Sequence, residues 1–391
     1  MIQNYVGCIL SPCKSSFFCR ASYATEAVLK CTEAKLHRLD QGPKTENTVT
    51  KEEALTMYKQ MAVARRMENS ISNLYKAKLI RGFCHLYPGE EAVAVGIKSR
   101  LGPKDTVITS YRCHVWTYVM GSSSLSVIAE LLGRESGCSR GKGGSMHIYH
   151  DNFYGGNGIV GAQVPLGAGL AFKHKYTNDG GMCYAIYGDG ASNQGQVFEA
   201  FNMAKLWNLP VVFLIENNLY GMGTSAARSS SNTNYYQRGD LIPGILVDGS
   251  DIVAMRSATD FINQLVKDGK GPILMEALTY RFYGHSMSDS DTTYRTRDEV
   301  KKMRDTADPL TIFKAKAVEA GLLTEEETKK ILDDAKKEID GAVAKVKTDK
   351  EIPLAELTYD IYSATLEGKV RKTVHDNYGE HKVRGVAINL K

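Results

Sequence analysis

Cys183-Tyr-Ala-Ile-Tyr-Gly-Asp-Gly190 and Val211-Val-Phe-Leu-Ile-Glu-Asn-Asn218 decide how this chain is read. The 26 residues 191–216 separate Gly188-Asp189-Gly190 from Asn217-Asn218. Each segment is a short apolar run of the kind buried in a parallel sheet. Gln196 to Leu206 between them reads as a helix, giving strand–helix–strand. Asp189 and Asn218 then fall just past the carboxyl ends of adjacent parallel strands, where open α/β sheets bind their ligands. Magnesium takes hard oxygen ligands in a near-octahedral shell and shares them with phosphates. The Asp189 carboxylate, the Asn218 amide oxygen and the Tyr220 carbonyl are such a set. Gly188 and Gly190 allow a tight backbone turn against a ligand. Alone, Gly-Asp-Gly reads equally as a turn and Asn-Asn as a loop; the strand–helix–strand context turns the balance toward a site.

The surrounding sequence extends the same architecture. Thr50 with Glu53 has the form of a capping box and opens a helix carrying Leu55, Tyr58, Met61 and Ala62. Glu90 to Leu101 is a second, small-sided helix, and Val107 to Thr109 a short strand leading into Ser110-Tyr-Arg-Cys-His114. Gly133 to Gly161 must be a long ordered loop, a length uncommon in compact domains unless it is functional. Ala162 to Tyr176 is a helix of small residues. Ile245 to Val247 is a third parallel strand, Ile252 to Lys267 a helix and Pro272 to Leu278 a further strand. Thr279 to Arg297 returns to polar loop, and beyond Asp298 the charged amphipathic pattern, notably Thr324 to Val346, predicts exposed helices.

Composition narrows the function. The chain has 391 residues and a net charge of +5, with no basic cluster interleaved with aromatics, which argues against nucleic acid as a partner. No apolar stretch approaches the roughly 18–20 residues of a membrane span. The eight cysteines are scattered, with no Cys-x-x-Cys pair, a pattern of a reducing compartment. Residues 1–25 contain Lys14 and Arg20, several serines and no acid before Glu26, as in a mitochondrial transit peptide; Tyr5 to Leu10 also reads as a short secretory core. Residues 26–363 form the main domain. Within 364–391, the stretch from Lys369 to Lys391 carries six Lys or Arg against two acids and reads as a solvated basic tail.

Longer motifs carry a resemblance. They are Arg81-Gly-Phe-Cys-His-Leu86, Gly141-Lys-Gly-Gly-Ser-Met-His147, the run from Asn152 to Gly167 with its Asn-Gly-Ile-Val-Gly-Ala-Gln core, Tyr220-Gly-Met-Gly-Thr-Ser225 and Gly284-His-Ser-Met-Ser-Asp289. With the 26-residue spacing, which is that of the thiamine-diphosphate signature, they make the chain resemble the α subunits of pyruvate dehydrogenase E1 from about Leu36 to Ser363. The resemblance implies an α/β thiamine-diphosphate-binding fold: a parallel sheet flanked by helices, with helical N- and C-terminal extensions. It further implies thiamine diphosphate and Mg2+ as cofactors, residence in the mitochondrial matrix, and pyruvate decarboxylation followed by reductive acetylation of an E2 lipoyl domain.

Matching motifs carry the family's roles onto this chain. Tyr111 and Arg112 are expected at the diphosphate, where a guanidinium's planar fork suits phosphate oxygens. Gly158 and Val160 are expected near the aminopyrimidine, and Gly188, Asp189, Gly190, Ala191, Asn218, Tyr220 and His285 around the cofactor, with Asp189, Asn218 and Tyr220 at the metal. His85 and His285 are the candidates for proton handling, since histidine titrates near working pH. The glutamate that activates the pyrimidine in thiamine enzymes has no counterpart motif here. The resemblance therefore implies a separate E1 β subunit supplying it across an α2β2 interface.

It also implies control by a kinase and phosphatase acting on Ser286 and Ser225. The family's third serine aligns with Thr293. Tyr283 stands where a histidine is expected, and Ser290-Asp291 where proline-glycine is usual. Three other readings stand beside this one: an E1 of another acyl specificity such as the branched-chain type; a nucleotide-binding or structural α/β protein resting on Gly167-Ala-Gly169, which lacks a third glycine and an immediately preceding strand; and a catalytically dead regulatory subunit, disfavoured because Asp189, Asn218, Arg112 and His285 are all present.

Overall fold

The structure is a computed structural model that describes residues 24–359 and 361, with 369–370 and 379–380. Almost all of the proposed transit peptide, 1–25, and most of the tail, 364–391, lie outside the described residues. Strands β1 (Glu26–Lys30), β2 (Lys35–His37) and β3 (Glu46–Thr50) precede helices α1 (Lys51–Lys76) and α2 (Glu91–Lys98). There follow β4 (Thr106–Ile108), α3 (His114–Val119), α4 (Ser124–Leu131), a long loop and α5 (Gln163–Thr177). The signature segment is β5 (Cys183–Gly188), α6 (Gly195–Leu206) and β6 (Val211–Asn217). The short β7 (Tyr220–Gly221), β8 (Thr224–Ser225) and α7 (Ala226–Ser229) lead to β9 (Gly244–Asp248), α8 (Ile252–Lys267) and β10 (Ile273–Leu278). Three helices close the domain: α9 (Arg297–Ala307), α10 (Pro309–Glu319) and α11 (Glu325–Thr348). In the tail, β11 (Lys369–Val370) pairs with β12 (Gly379–Glu380).

One mixed sheet runs β2-β9-β10-β6-β5-β4, parallel except for the antiparallel edge strand β2. β5 and β6 are neighbours, with Gly188 opposite Glu216, so the sequence places Asp189 and Asn218 correctly at adjacent strand ends. Both faces of the sheet are covered, and the β5 and β6 cores from Cys183 to Tyr187 and Val211 to Ile215 are fully buried. The small residues of α5 are explained by its packing on β5: a Cβ on Gly167 would overlap that of Ala185.

The Thr50–Glu53 capping box forms as read. Two boundaries differ. The strand expected over 107–109 is Thr106–Ile108, because the Thr109 N–H donates instead to Gly155 O (3.0 Å) in the long loop. The helix expected from Glu90 to Leu101 ends at Lys98. The N-terminal extension also contains strand structure, β1 pairing antiparallel with β3 before α1 begins.

The C-terminal helices are not simply exposed. α11 buries Ala335, Ile339, Ala342 and Val346 in the core it shares with α1 and α4, and α10 buries Phe313. Long charged side chains dominate the composition of α11, while its buried stripe is built mainly of small residues at helical spacing. Only α9 buries nothing among the described residues.

The loop after α4 is ordered by one carboxylate. Buried Glu130 accepts backbone N–H bonds from Ser139 (2.8 Å), Gly141 (2.7 Å), Gly143 (2.6 Å) and Gly144 (3.3 Å). A polar loop cannot bury its amides without such an acceptor.

Candidate active site

Four neighbouring strands deliver residues to one cleft of about 220 Å³. Ser110, Tyr111 and Arg112 follow β4; Gly188, Asp189, Gly190 and Ala191 end β5; Glu216 and Asn218 end β6; Arg281 and His285 follow β10. Tyr220, Gly221 and Met222 close one wall, with Val160 and Gln163 at the start of α5. Gly190 is required by the chain's own crowding: a Cβ there would lie 3.1 Å from the Cα of Gly221. Its φ of −61° is ordinary, so close approach, not a left-handed turn, selects glycine.

The oxygens in this cleft fit a hard cation. Asp189 Oδ2 and Asn218 Oδ1 are both buried without a hydrogen-bond partner, an arrangement that is costly unless something meets them. The Tyr220 carbonyl accepts a long bond of 3.4 Å from Arg281. Burial pushes the Asp189 carboxyl up to about 6, against its own and Gly190's backbone N–H groups; a bound cation would reverse that shift. Among the described residues no group of three His, Cys, Asp or Glu could hold a metal, so a cation here would rest on this mixed carboxylate, amide and carbonyl set.

Two buried guanidiniums also face the cleft. Arg112 donates to the carbonyls of Leu86 and His285 (the latter 3.0 Å) and lies 3.7 Å from Glu90. Arg281, 1 % exposed, donates to the Tyr283 carbonyl (3.1 Å), the Met222 carbonyl (3.0 Å) and the Tyr294 hydroxyl (3.0 Å). Burial, then Arg112, lowers the Arg281 pKa. Neither arginine has a full carboxylate partner, which suits an incoming diphosphate.

His85 does not line the cleft, but its ring centroid lies 4.3 Å from that of Tyr111, tilted, and 5.3 Å from that of His285, edge-on. Burial, with the Arg112 cation next, holds His85 at about 2 and His285 at about 3. Both rings are therefore held below the usual histidine range by the cleft's own groups; a neighbouring anion would raise them. Gly158 also stands outside the lining residues, and the Val160 carbonyl is already engaged by the Gln194 amide at 2.7 Å.

Sequence comparison decides the relationship. The family described as "Dehydrogenase E1 component" matches residues 59–355. This chain belongs to that family. It is 54% identical over 353 residues to "Pyruvate dehydrogenase E1 component subunit alpha type II, mitochondrial" of Ascaris suum, covering 90% of each chain. It is 53% identical to the "Probable pyruvate dehydrogenase E1 component subunit alpha, mitochondrial" of Caenorhabditis elegans, covering 90% of this chain and 89% of that one. To the somatic, mitochondrial subunit alpha of Homo sapiens it is 50% identical, covering 90% of each.

Within this E1 fold the three candidate modification positions differ in setting. Ser286 is only 8% exposed, its hydroxyl 3.0 Å from that of Ser288, and it lines a neighbouring groove of about 460 Å³ rather than the cleft. Ser225 pairs with Tyr220 in the β7–β8 ribbon. Thr293 is exposed and donates to the Ser290 carbonyl (2.9 Å). Tyr283 donates its hydroxyl to Asn69 (2.9 Å).

Sequence reading missed Glu90, Gln163, Glu216 and Arg281 at the E1 site. Glu216 accepts from Tyr87 and from Trp116 (3.0 Å), and burial together with the Glu90 charge pushes its carboxyl up. Gln163 donates to the Ile186 carbonyl (3.0 Å) and leaves Oε1 buried and unpartnered. Arg281 follows the carboxyl end of a parallel strand, the position that flagged Asp189, and that signal could have found it.

Proposed function

We propose that this chain is the α subunit of a mitochondrial pyruvate dehydrogenase E1 and binds thiamine diphosphate through Mg2+. The observation that carries the reading is the pair of buried, unpartnered oxygens on Asp189 and Asn218 at adjacent strand ends. Asp189, Asn218 and the Tyr220 carbonyl hold the cation. Tyr111, Arg112, Arg281 and His285 receive the diphosphate, with Gly188, Gly190 and Ala191 supplying the backbone cradle. Val160 and Gly158 border the far end of the cofactor. When bound, the cofactor supplies decarboxylation of the 2-oxo acid and carries the acyl fragment that is passed to the lipoyl group of E2. His85 and His285, neutral in the resting cleft, gain basicity beside a diphosphate and substrate carboxylate, and then hold or release a proton.

A β subunit completes the site in an α2β2 assembly. Two features support this. Glu216 lines the cleft, but its Oε1 already accepts from both Tyr87 and Trp116, which ties this carboxylate to the chain's own core. On the outer faces of α5 and α6, Phe172, Tyr176 and Trp207 are exposed and their rings meet, an apolar patch of the kind that marks a protein interface. Phosphorylation at Ser286, on the loop that carries His285, and at Ser225, in the β7–β8 ribbon, by a kinase and reversed by a phosphatase, controls activity; Thr293 is the altered third position.

The test is turnover of pyruvate against branched 2-oxo acids by the chain alone and co-expressed with a β subunit. The reading expects no activity from the chain alone and pyruvate-preferring activity from the pair. Activity of the single chain, or preference for branched substrates, would overturn it.

A further inference from the structure

We propose that Glu90 is the positioning residue that turns the Asn218 amide toward the cation; this rests on the cation site proposed above. Glu90 sits at the start of α2 with no exposed surface. Its Oε1 accepts a hydrogen bond of 3.0 Å from Asn218 Nδ2. Its Oε2 makes no hydrogen bond and lies 3.7 Å from Arg112 Nε.

An amide is planar, with an NH2 donor on one side and a carbonyl acceptor on the other. Glu90 Oε1 accepts from Nδ2, and this bond fixes the NH2 group on the side of Glu90. Asn218 Oδ1 is thereby committed to the opposite side, where it is buried and unpartnered like Asp189 Oδ2. The reverse rotamer would aim an NH2 group at the cation. A second glutamate, Glu216, lies close enough to feel the charge of Glu90, so burying this carboxylate is costly. An ion pair with Arg112 alone leaves unexplained why one Glu90 oxygen is spent on Asn218. Orientation of the ligand amide explains it, as partners behind metal ligands do in general.

The experiment titrates Mn2+, by loss of its free electron-paramagnetic signal, into the α/β assembly with thiamine diphosphate present. Glu90→Leu is expected to weaken Mn2+ binding about 10–100-fold. Glu90→Gln, which retains an acceptor for Nδ2, is expected to stay within about threefold of the wild type. Aspartate has an oxygen on both sides and needs no orienting. The double variant Glu90→Leu/Asn218→Asp is therefore expected to regain most of the lost affinity.

Wild-type affinity in Glu90→Leu would overturn the proposal. So would a double variant as weak as the single one, which is the signature of a merely structural role. Should Glu90→Leu fail to assemble, a tenfold loss in Glu90→Gln overturns it equally. No Mn2+ uptake by the wild-type assembly would instead overturn the cation site itself, and the proposal with it.

Discussion

Asp291 and Arg295 form an ion pair of 3.0 Å in which the guanidinium is wholly buried. Arg295 also donates to the carbonyls of Arg281 (2.8 Å) and Tyr283 (2.7 Å), and it lies over the rings of Tyr220, Tyr280 and Tyr294. Asp291 is thus the counter-charge of the residue that holds the loop. Asp291→Ala should lower the local opening free energy of residues 284–293 by about 2 kcal/mol, the scale of a hydrogen bond to a charged group. Hydrogen exchange in that segment should accelerate while the sheet is unaffected; unchanged exchange would refute the role.

Glu130 is the single acceptor for four loop amides. Glu130→Ala leaves those donors to find water or stay unmet, at about 1–3 kcal/mol for each that remains buried. Limited proteolysis should then cut between 137 and 144 first, and urea unfolding should show a loss of at least about 2 kcal/mol. A variant as protease-resistant as the wild type would show that the loop is held elsewhere.

Ser286 is buried beside the loop that carries His285, and Asp289 already accepts from the His285 N–H at 2.7 Å. A phosphate there adds nearly two negative charges close to that carboxylate and near the diphosphate site. Ser286→Glu should reduce activity to a few per cent or less of wild type, with the assembly intact by size-exclusion chromatography. Full turnover in this variant would refute the regulatory reading.

His85 stays neutral when folded, at about 2, and takes up a proton near 6.5 when unfolded. The folded value is depressed, so the unfolded chain binds more protons between these limits. Stability therefore falls as pH drops below about 6.5. His85→Asn removes that proton uptake. From pH 7 to pH 5, unfolding free energies should shift in favour of the variant by up to about 2 kcal/mol. A pH-independent difference would mean that His85 is not held neutral by burial and Arg112.

What could be read from sequence followed the range of the signal. Asp189 and Asn218 were legible because each ends an apolar strand and one helix length separates them. Tyr111, Arg112 and His285 were legible only through their motifs. Glu90 gave no local signal: a buried charge is visible only once the elements that bury it are packed together. The apolar stripe of α11 was hidden because Ala335 and Ala342 are small and its lysines and acids dominate the composition. The pairing of β1 with β3 spans residues 26–50 across a polar connection, which no period-two pattern announced.

The central claim is a cation-anchored thiamine diphosphate site built on Asp189 and Asn218. Its most direct test is pyruvate decarboxylation by the α/β assembly, wild type against Asp189→Ala, with and without thiamine diphosphate and Mg2+. The account predicts turnover that requires both cofactors in the wild type and falls at least about 1,000-fold in Asp189→Ala, a loss of about 4 kcal/mol in transition-state stabilisation. Comparable cofactor-dependent turnover in the two proteins would contradict it.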